Sequence, residues 1–144
     1  MWIILSLTAS IFWGMAYAFN EQVYKEISIF SALAITSVVL FAVALIAAVW
    51  MGTLRKDLVS LGNSRTGLFM LLAASGTTVA AEILIASAIH DKSATLASLI
   101  EISYPVFVTL FAILLFGESE INSMTVAGGI LILAGVFLVS YFNR

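Results

Sequence analysis

The sequence contains no cysteine, one proline, one histidine and few charged residues. Without cysteine, a disulfide framework, a thiolate metal site and a cysteine nucleophile are all excluded. Charged residues make up 10% of the chain, whereas soluble domains contain about one-quarter. The net charge of −2 is spread over separated clusters, so neither a basic patch for nucleic acid nor a polybasic run for anionic lipid is present. Together with a mean hydropathy of +1.16, these features argue against a water-soluble domain.

Long uncharged windows provide five candidate membrane spans. All charged residues except Glu82 and Glu101 fall in short clusters, and the windows between the clusters reach the roughly 20 residues that cross a bilayer core. Lipid cannot satisfy backbone polar groups, and the windows lack the alternation of a barrel strand, so helices are expected. We predict one all-α integral membrane domain over residues 1–144, with helices at residues 2–20, 28–52, 66–89, 94–117 and 121–142.

The joints between the predicted spans make neighbouring helices antiparallel. Three of them are short: residues 21–26, 90–92 and 118–120. Ser93 and Ser123 are placed to cap the helices that follow the last two. The longest joint, residues 53–65, combines leucines at helical spacing with charged residues, which predicts a short helix lying at the membrane interface.

Lysine and arginine are balanced across the membrane. We call the side on which the first helix starts side A and the opposite side B. Three basic residues fall on each side: Arg55, Lys56 and Arg65 on side A, and Lys25, Lys92 and Arg144 on side B. The positive-inside rule therefore predicts no preferred orientation in the membrane. Either so few charges balance by chance, or the protein inserts both ways up, which would let two copies form an antiparallel dimer with the symmetry of inverted-repeat transporters.

Two carboxylates lie inside the predicted spans, where an ionisable side chain is costly unless it is partnered, protonated or facing water. Glu82 precedes Asp91 by nine residues and Glu101 follows Lys92 by nine, so each lies about 13 Å below the side-B surface. No Lys, Arg or His falls within a predicted span to neutralise them. A shared proton or a cationic ligand would supply the partner; the alternative is a pair of neutral acids that hydrogen-bond between helices.

Small and polar residues share helical faces with the two acids. Thr78 lies one turn before Glu82, while Ser98 and Tyr104 lie within one turn of Glu101. Such faces suit the wall of a polar cavity, although small residues also serve plain helix packing.

The first helix carries a polar stripe whose members are spaced four, three, four and three residues apart: Ser6, Ser10, Trp13, Tyr17 and Asn20. The stripe is too polar for a lipid-facing surface, and the rings of Trp13 and Tyr17 suit an organic cation through cation–π attraction. Anchoring at the interface is the alternative role of Tyr17 and Asn20. The predicted site for substrate and protons comprises Glu82, Glu101, Trp13, Tyr17, Tyr104, Ser98 and Thr78.

Proline and glycine mark two further positions. Pro105 has no N–H for the carbonyl of Glu101, and its ring displaces that carbonyl, so a hinge is predicted there. Broken helices recur at transporter sites, but prolines also kink membrane helices for architectural reasons. Gly128 and Gly135 lie seven residues apart on one face of the last helix, and they permit close helix approach, either in a dimer seam or within the chain.

Short motifs over the whole chain resemble those of a known family. They are Phe12-Trp13-Gly14, Pro105-Val106-Phe107, Leu114-Leu115-Phe116-Gly117-Glu118, Gly128-Gly129 and Gly135-Val136. With these motifs the chain resembles a single EamA-type domain of the drug/metabolite transporter superfamily. Usual members have ten helices, made of two such domains with opposite orientation around a central cavity. The resemblance implies that this chain pairs with a second copy or a homologous partner. Members of the family move amino acids, metabolites and toxic compounds, and the substrate of this chain does not follow from the resemblance.

The sequence thus predicts a secondary transporter in a prokaryotic plasma membrane, working as an antiparallel homodimer. It would exchange a small metabolite or organic cation for protons at Glu82 and Glu101, a role inferred from the residues and not from the family. Sodium is the alternative coupling ion, since two carboxylates beside free carbonyl groups can also hold it. The alternative is a non-transporting accessory subunit that pairs with a different membrane protein. No cofactor and no metal are expected. The lack of an HExxH motif, a Gly-x-Ser-x-Gly elbow and a histidine within a span argues against an enzyme.

Overall fold

The computed structural model describes residues 1–117 and 121–143, which are helical apart from short joints, and these residues contain no strand. The helical segments, in chain order, are α1 (Trp2–Glu26), α2 (Ile29–Trp50), α3 (Leu54–Gly62), α4 (Arg65–Asp91), α5 (Ala94–Glu101), α6 (Tyr104–Phe111), a π-helical turn (Ala112–Phe116) and α7 (Ser123–Phe142). Five stretches are long and apolar enough to span a membrane: α1, α2, α4, the run from α5 through the π-helical turn, and α7. The predicted all-α membrane fold with five spans is confirmed. The predicted joint at residues 118–120 and the basic residue Arg144 lie outside the described residues.

Side-chain caps set the starts of several helices. Ser28, Ser64 and Ser93 each accept a hydrogen bond from the backbone N–H three residues later, which satisfies one of the donors that a helix start leaves unpaired. The predicted cap at Ser93 is therefore confirmed. The predicted cap at Ser123 is wrong, because the amide oxygen of Asn122 accepts from two backbone N–H groups of the first turn of α7.

The first helix is longer than the sequence predicts. α1 continues beyond Asn20 to Glu26, and the joint to α2 is reduced to Ile27 and Ser28, both with extended backbone. Residues 21–26 include neither glycine nor proline, and the Glu, Gln and Lys residues among them are good helix formers. A charged cluster marks the membrane surface here, but it does not end the helix.

The fourth span, Ala94–Phe116, is interrupted near its middle. α5 ends at Glu101 and α6 begins at Tyr104, so the interruption directly follows the position at which Pro105 predicts a kink. The N–H of Ser103 donates to the carbonyl of Ile100 at 3.2 Å, a bond one residue shorter than the α-helical spacing. Pro105 lies in the first turn of α6, where its missing N–H would have no helical partner in any case.

Burial is confined to one end of the bundle. α1 packs against α2, α4 and α5; α4 packs against α2, α3 and α5; and α5 also packs against α7. Among the described residues the buried side chains form one cluster, called here the side-B core: Tyr24, Ala32, Ala86, Ile89, Ala94 and Ala97. These residues end α1 and α4 and begin α2 and α5, so in an antiparallel bundle they all lie at side B. The helices are packed together at side B, and their apolar walls stay exposed over the remaining length.

Candidate functional site

A hydrogen bond links the first helix to the interrupted fourth span. The hydroxyl of Tyr17 in α1 donates to Oε1 of Glu101, the last residue of α5, with an oxygen–oxygen distance of 3.0 Å. Both side chains are half-buried. Because a polar group deprived of water is expensive to leave unpaired, this bond directs the Glu101 carboxylate toward α1 and away from the lipid.

Glu82 belongs to the same polar cluster. It lies half-buried on α4, and it interacts electrostatically with Glu101 and with the hydroxyls of Tyr17 and Tyr24. In the described part of the chain its charged partner is therefore another acid and not a cation. Tyr17 also packs against the side-B core. The two carboxylates thus lie between α1, α4 and α5, closer to side A than the side-B core.

Aromatic side chains extend the cluster toward side A. The ring of Trp13 lies 5.7 Å from the ring of Tyr17, one helical turn closer to side A. Tyr104, the first residue of α6, lies on the same side of the cluster and is 61% exposed. Aromatic rings close to carboxylates are a combination that attracts positively charged organic groups.

Within the described residues, Ser98 and Thr78 form no hydrogen bond with either carboxylate. The hydroxyl of Ser98 donates to the carbonyl of Thr95 on its own helix. Thr78 is exposed on α4, one helical turn closer to side A than Glu82. Ser6 and Ser10 also use their hydroxyls within their own helix, each donating to the carbonyl four residues earlier. The site therefore centres on the hydrogen bond between Tyr17 and Glu101, with Glu82 beside it, and a polar wall extends toward side A.

Glu21 belongs to the inner face of α1, although its charge cluster predicts a joint between helices. Oε2 of Glu21 accepts a hydrogen bond from the backbone N–H of Ala94 at 2.8 Å. Ala94 is the first residue of α5, where an N–H has no partner within the helix and the helix dipole favours a negative charge. Continuing the polar stripe of α1 by four residues beyond Asn20 would have led to the buried Tyr24. The charged end of α1 would then have been recognised as part of the inner face.

The glycines of α7 differ in their surroundings. A Cβ added at Gly128 or Gly135 would meet no described atom within 4 Å beyond its own helical turn, whereas a Cβ at Gly129 would meet Cγ2 of Val106 at 3.7 Å. Gly128 borders an open apolar groove of about 410 Å³ between α6 and α7, lined also by Pro105. The close approach within the chain therefore occurs at Gly129, and the faces of Gly128 and Gly135 stay open.

Sequence comparison with protein families matches residues 1–141 to the EamA-like transporter family. The match covers nearly the whole chain, including every residue of the cluster around Glu82 and Glu101. Comparison with curated proteins and with solved structures gives no match.

Proposed function

The chain belongs to the EamA-like transporter family, and on this premise we propose that it is a proton-coupled secondary transporter of a small metabolite or organic cation. Membership supports a membrane transporter and not an enzyme. Proton coupling is supported by one observation, the hydrogen bond between Tyr17 and Glu101 beside a second carboxylate, Glu82. We place the protein in a prokaryotic plasma membrane, where a proton gradient is available to drive exchange.

Competition for the two carboxylates couples substrate to protons in this proposal. Repulsion disfavours two negative charges at one half-buried place, so the pair holds either a proton or a positively charged group. A cation that enters from side A passes the rings of Trp13 and Tyr104 and reaches Glu101, where Tyr17 fixes the orientation of the carboxylate. Its positive charge replaces the proton, which is released. Because one state excludes the other, each transport cycle exchanges a cation for a proton.

A second protomer completes the cavity in this proposal. The cluster is walled by α1, α4 and α5, while the chain offers mainly exposed apolar surface toward side A. The open faces of Gly128 and Gly135 suit close contact with another helix, and the balanced Lys and Arg residues suit insertion in both orientations. We therefore propose an antiparallel homodimer, and a homologous five-helix protein is the other partner of the same geometry.

Exchange in proteoliposomes tests the coupling. A panel of organic cations and small metabolites is first screened for thermal stabilisation of the purified protein, since a ligand that binds only the folded state raises its Tm. Uptake of the best ligand is then measured with and without a pH gradient. We expect gradient-driven uptake by the wild type and by Glu26→Gln, a control that removes an exposed carboxylate on the same helix as Tyr17. Glu82→Gln and Glu101→Gln should abolish uptake driven by the pH gradient. If both variants still take up the ligand in response to the pH gradient, the coupling role of the two carboxylates is contradicted.

A further inference from the structure

The bundle is sealed at one end by a small cluster of side chains. Four of the residues in the side-B core are alanines, and Ile89 and Tyr24 are its larger members. Alanine lets helices approach closely while burying little area, so separating these helices exposes little apolar surface. The seal lies directly between the Tyr17–Glu101 bond and the side-B surface, and it closes that route to the carboxylates.

Glu21 fastens this end. Its carboxylate in α1 accepts from the N–H of Ala94 at 2.8 Å, and hydrogen bonds to charged groups are about twice as strong as neutral ones. Together with Tyr17 and Glu101, this contact gives α1 and α5 two polar connections. Glu21 lies near the charged end of α1, five residues before Glu26, so water can replace the Ala94 N–H when the contact breaks.

The segment that Glu21 holds is short and has a joint at each end. α5 comprises eight residues, Ala94–Glu101. Before it comes the turn at Lys92 and Ser93, and after it comes the interruption at Ile102 and Ser103. It carries two alanines of the side-B core at its start and Glu101 at its end. Motion of α5 about the interruption would therefore open the seal, because the two alanines lie at the end far from the pivot, and would turn the carboxylate of Glu101, which adjoins the pivot.

We propose that α5 is the side-B gate of the transport site, closed in this structure, and that Glu21 is the latch that holds it shut. The inference rests on the proposed transport function, and it adds where the site opens and which residue controls the opening. Release of the Ala94 N–H lets α5 swing away from α1 and α4, and Glu101 then faces side B instead of side A. Glu21 is a positioning residue: it acts through α5 and does not bind substrate.

Cysteine accessibility tests the latch directly, because the chain has no native cysteine. A single cysteine replaces Ala97, which is 7% exposed in the closed seal, and its labelling by a charged thiol reagent is timed in detergent, where both sides are reachable. Labelling requires water and the thiolate, so its rate reports opening of the seal. A second single-cysteine protein carries Val106→Cys, at a half-buried position on α6 beyond the interruption, and reports the labelling rate outside the seal.

We expect Glu21→Ala to raise the labelling rate at position 97 by about tenfold, the factor that corresponds to a hydrogen bond to a charged group. Glu21→Gln should give a smaller rise because its neutral oxygen still accepts a hydrogen bond, and the control Glu26→Ala should give none. Labelling at position 106 should not change. Equal rates at position 97 in Glu21→Ala and Glu26→Ala, or an equal rise at positions 97 and 106, would overturn the latch. The measurement uses neither substrate nor proton gradient, so failure of the gate is recorded separately from failure of transport.

Discussion

Removing one oxygen atom from Tyr17 isolates the contact on which the site is built. Tyr17→Phe deletes the hydroxyl that donates to Glu101 at 3.0 Å and retains the ring that lies 5.7 Å from Trp13. A hydrogen bond to a charged group contributes about 1.5–3 kcal/mol. Because Tyr17 and Glu101 are half-buried and water can partly replace the lost donor, we expect the lower end, about 1.5 kcal/mol. For a chain of this size that loss lowers Tm by roughly 4 °C.

Thermal unfolding in detergent micelles checks this magnitude against a matched control. Tyr141→Phe removes the same atom from a tyrosine that is 57% exposed on α7, so its Tm should stay within about 1 °C of the wild type. In Glu101→Gln protein the further cost of Tyr17→Phe should fall by about half, since the acceptor is then neutral. Equal effects of Tyr17→Phe and Tyr141→Phe would show that the hydrogen bond between Tyr17 and Glu101 does not stabilise the protein. An unchanged cost of Tyr17→Phe in the Glu101→Gln background would refute it as well.

Three further predictions concern the backbone of the interrupted span and of α7. Asn122→Ala should destabilise the protein by about 1 kcal/mol through loss of the cap, while Ser123→Ala should change its stability little; thermal unfolding compares the two. Pro105→Ala restores an N–H for the carbonyl of Glu101 and should join α5 to α6, which spin-label distances across residues 102–103 would detect as a straighter helix. Gly128→Leu should leave the protomer folded, because its face is open, and should weaken dimer formation, as measured by light scattering in detergent. A dimer of unchanged stability in Gly128→Leu would remove that face from the interface.

The five spans and the interruption follow from local properties of the sequence. Hydropathy decides which windows enter lipid, and the missing N–H of Pro105 disturbs the helix wherever the rest of the chain lies. The cap at Ser93 is local in the same way. Ser123 failed as a cap because a second capping residue, Asn122, stands directly before it, and its amide oxygen can serve two donors.

Contacts between distant residues could be predicted only in part. The stripe on α1 and the equal spacing of Glu82 and Glu101 from the α4–α5 joint indicate which faces are polar. They do not give the rotation of α1 against α5, which decides that Tyr17 and not Trp13 meets Glu101. Glu21 was missed because a charge cluster was interpreted as the end of a helix. Its role depends on an N–H at the start of α5, and such a partner has no side-chain signature in the sequence.

The proposed transporter requires two copies of the chain, inserted in opposite orientations, to complete one proton-coupled site. A single cysteine at Asn143, the exposed residue that follows α7, reports orientation when intact membranes are treated with a membrane-impermeant thiol reagent. We expect labelling of about half the molecules, with the remainder labelled once the membrane is opened. Labelling of all molecules or of none would show a single orientation and would contradict the antiparallel homodimer.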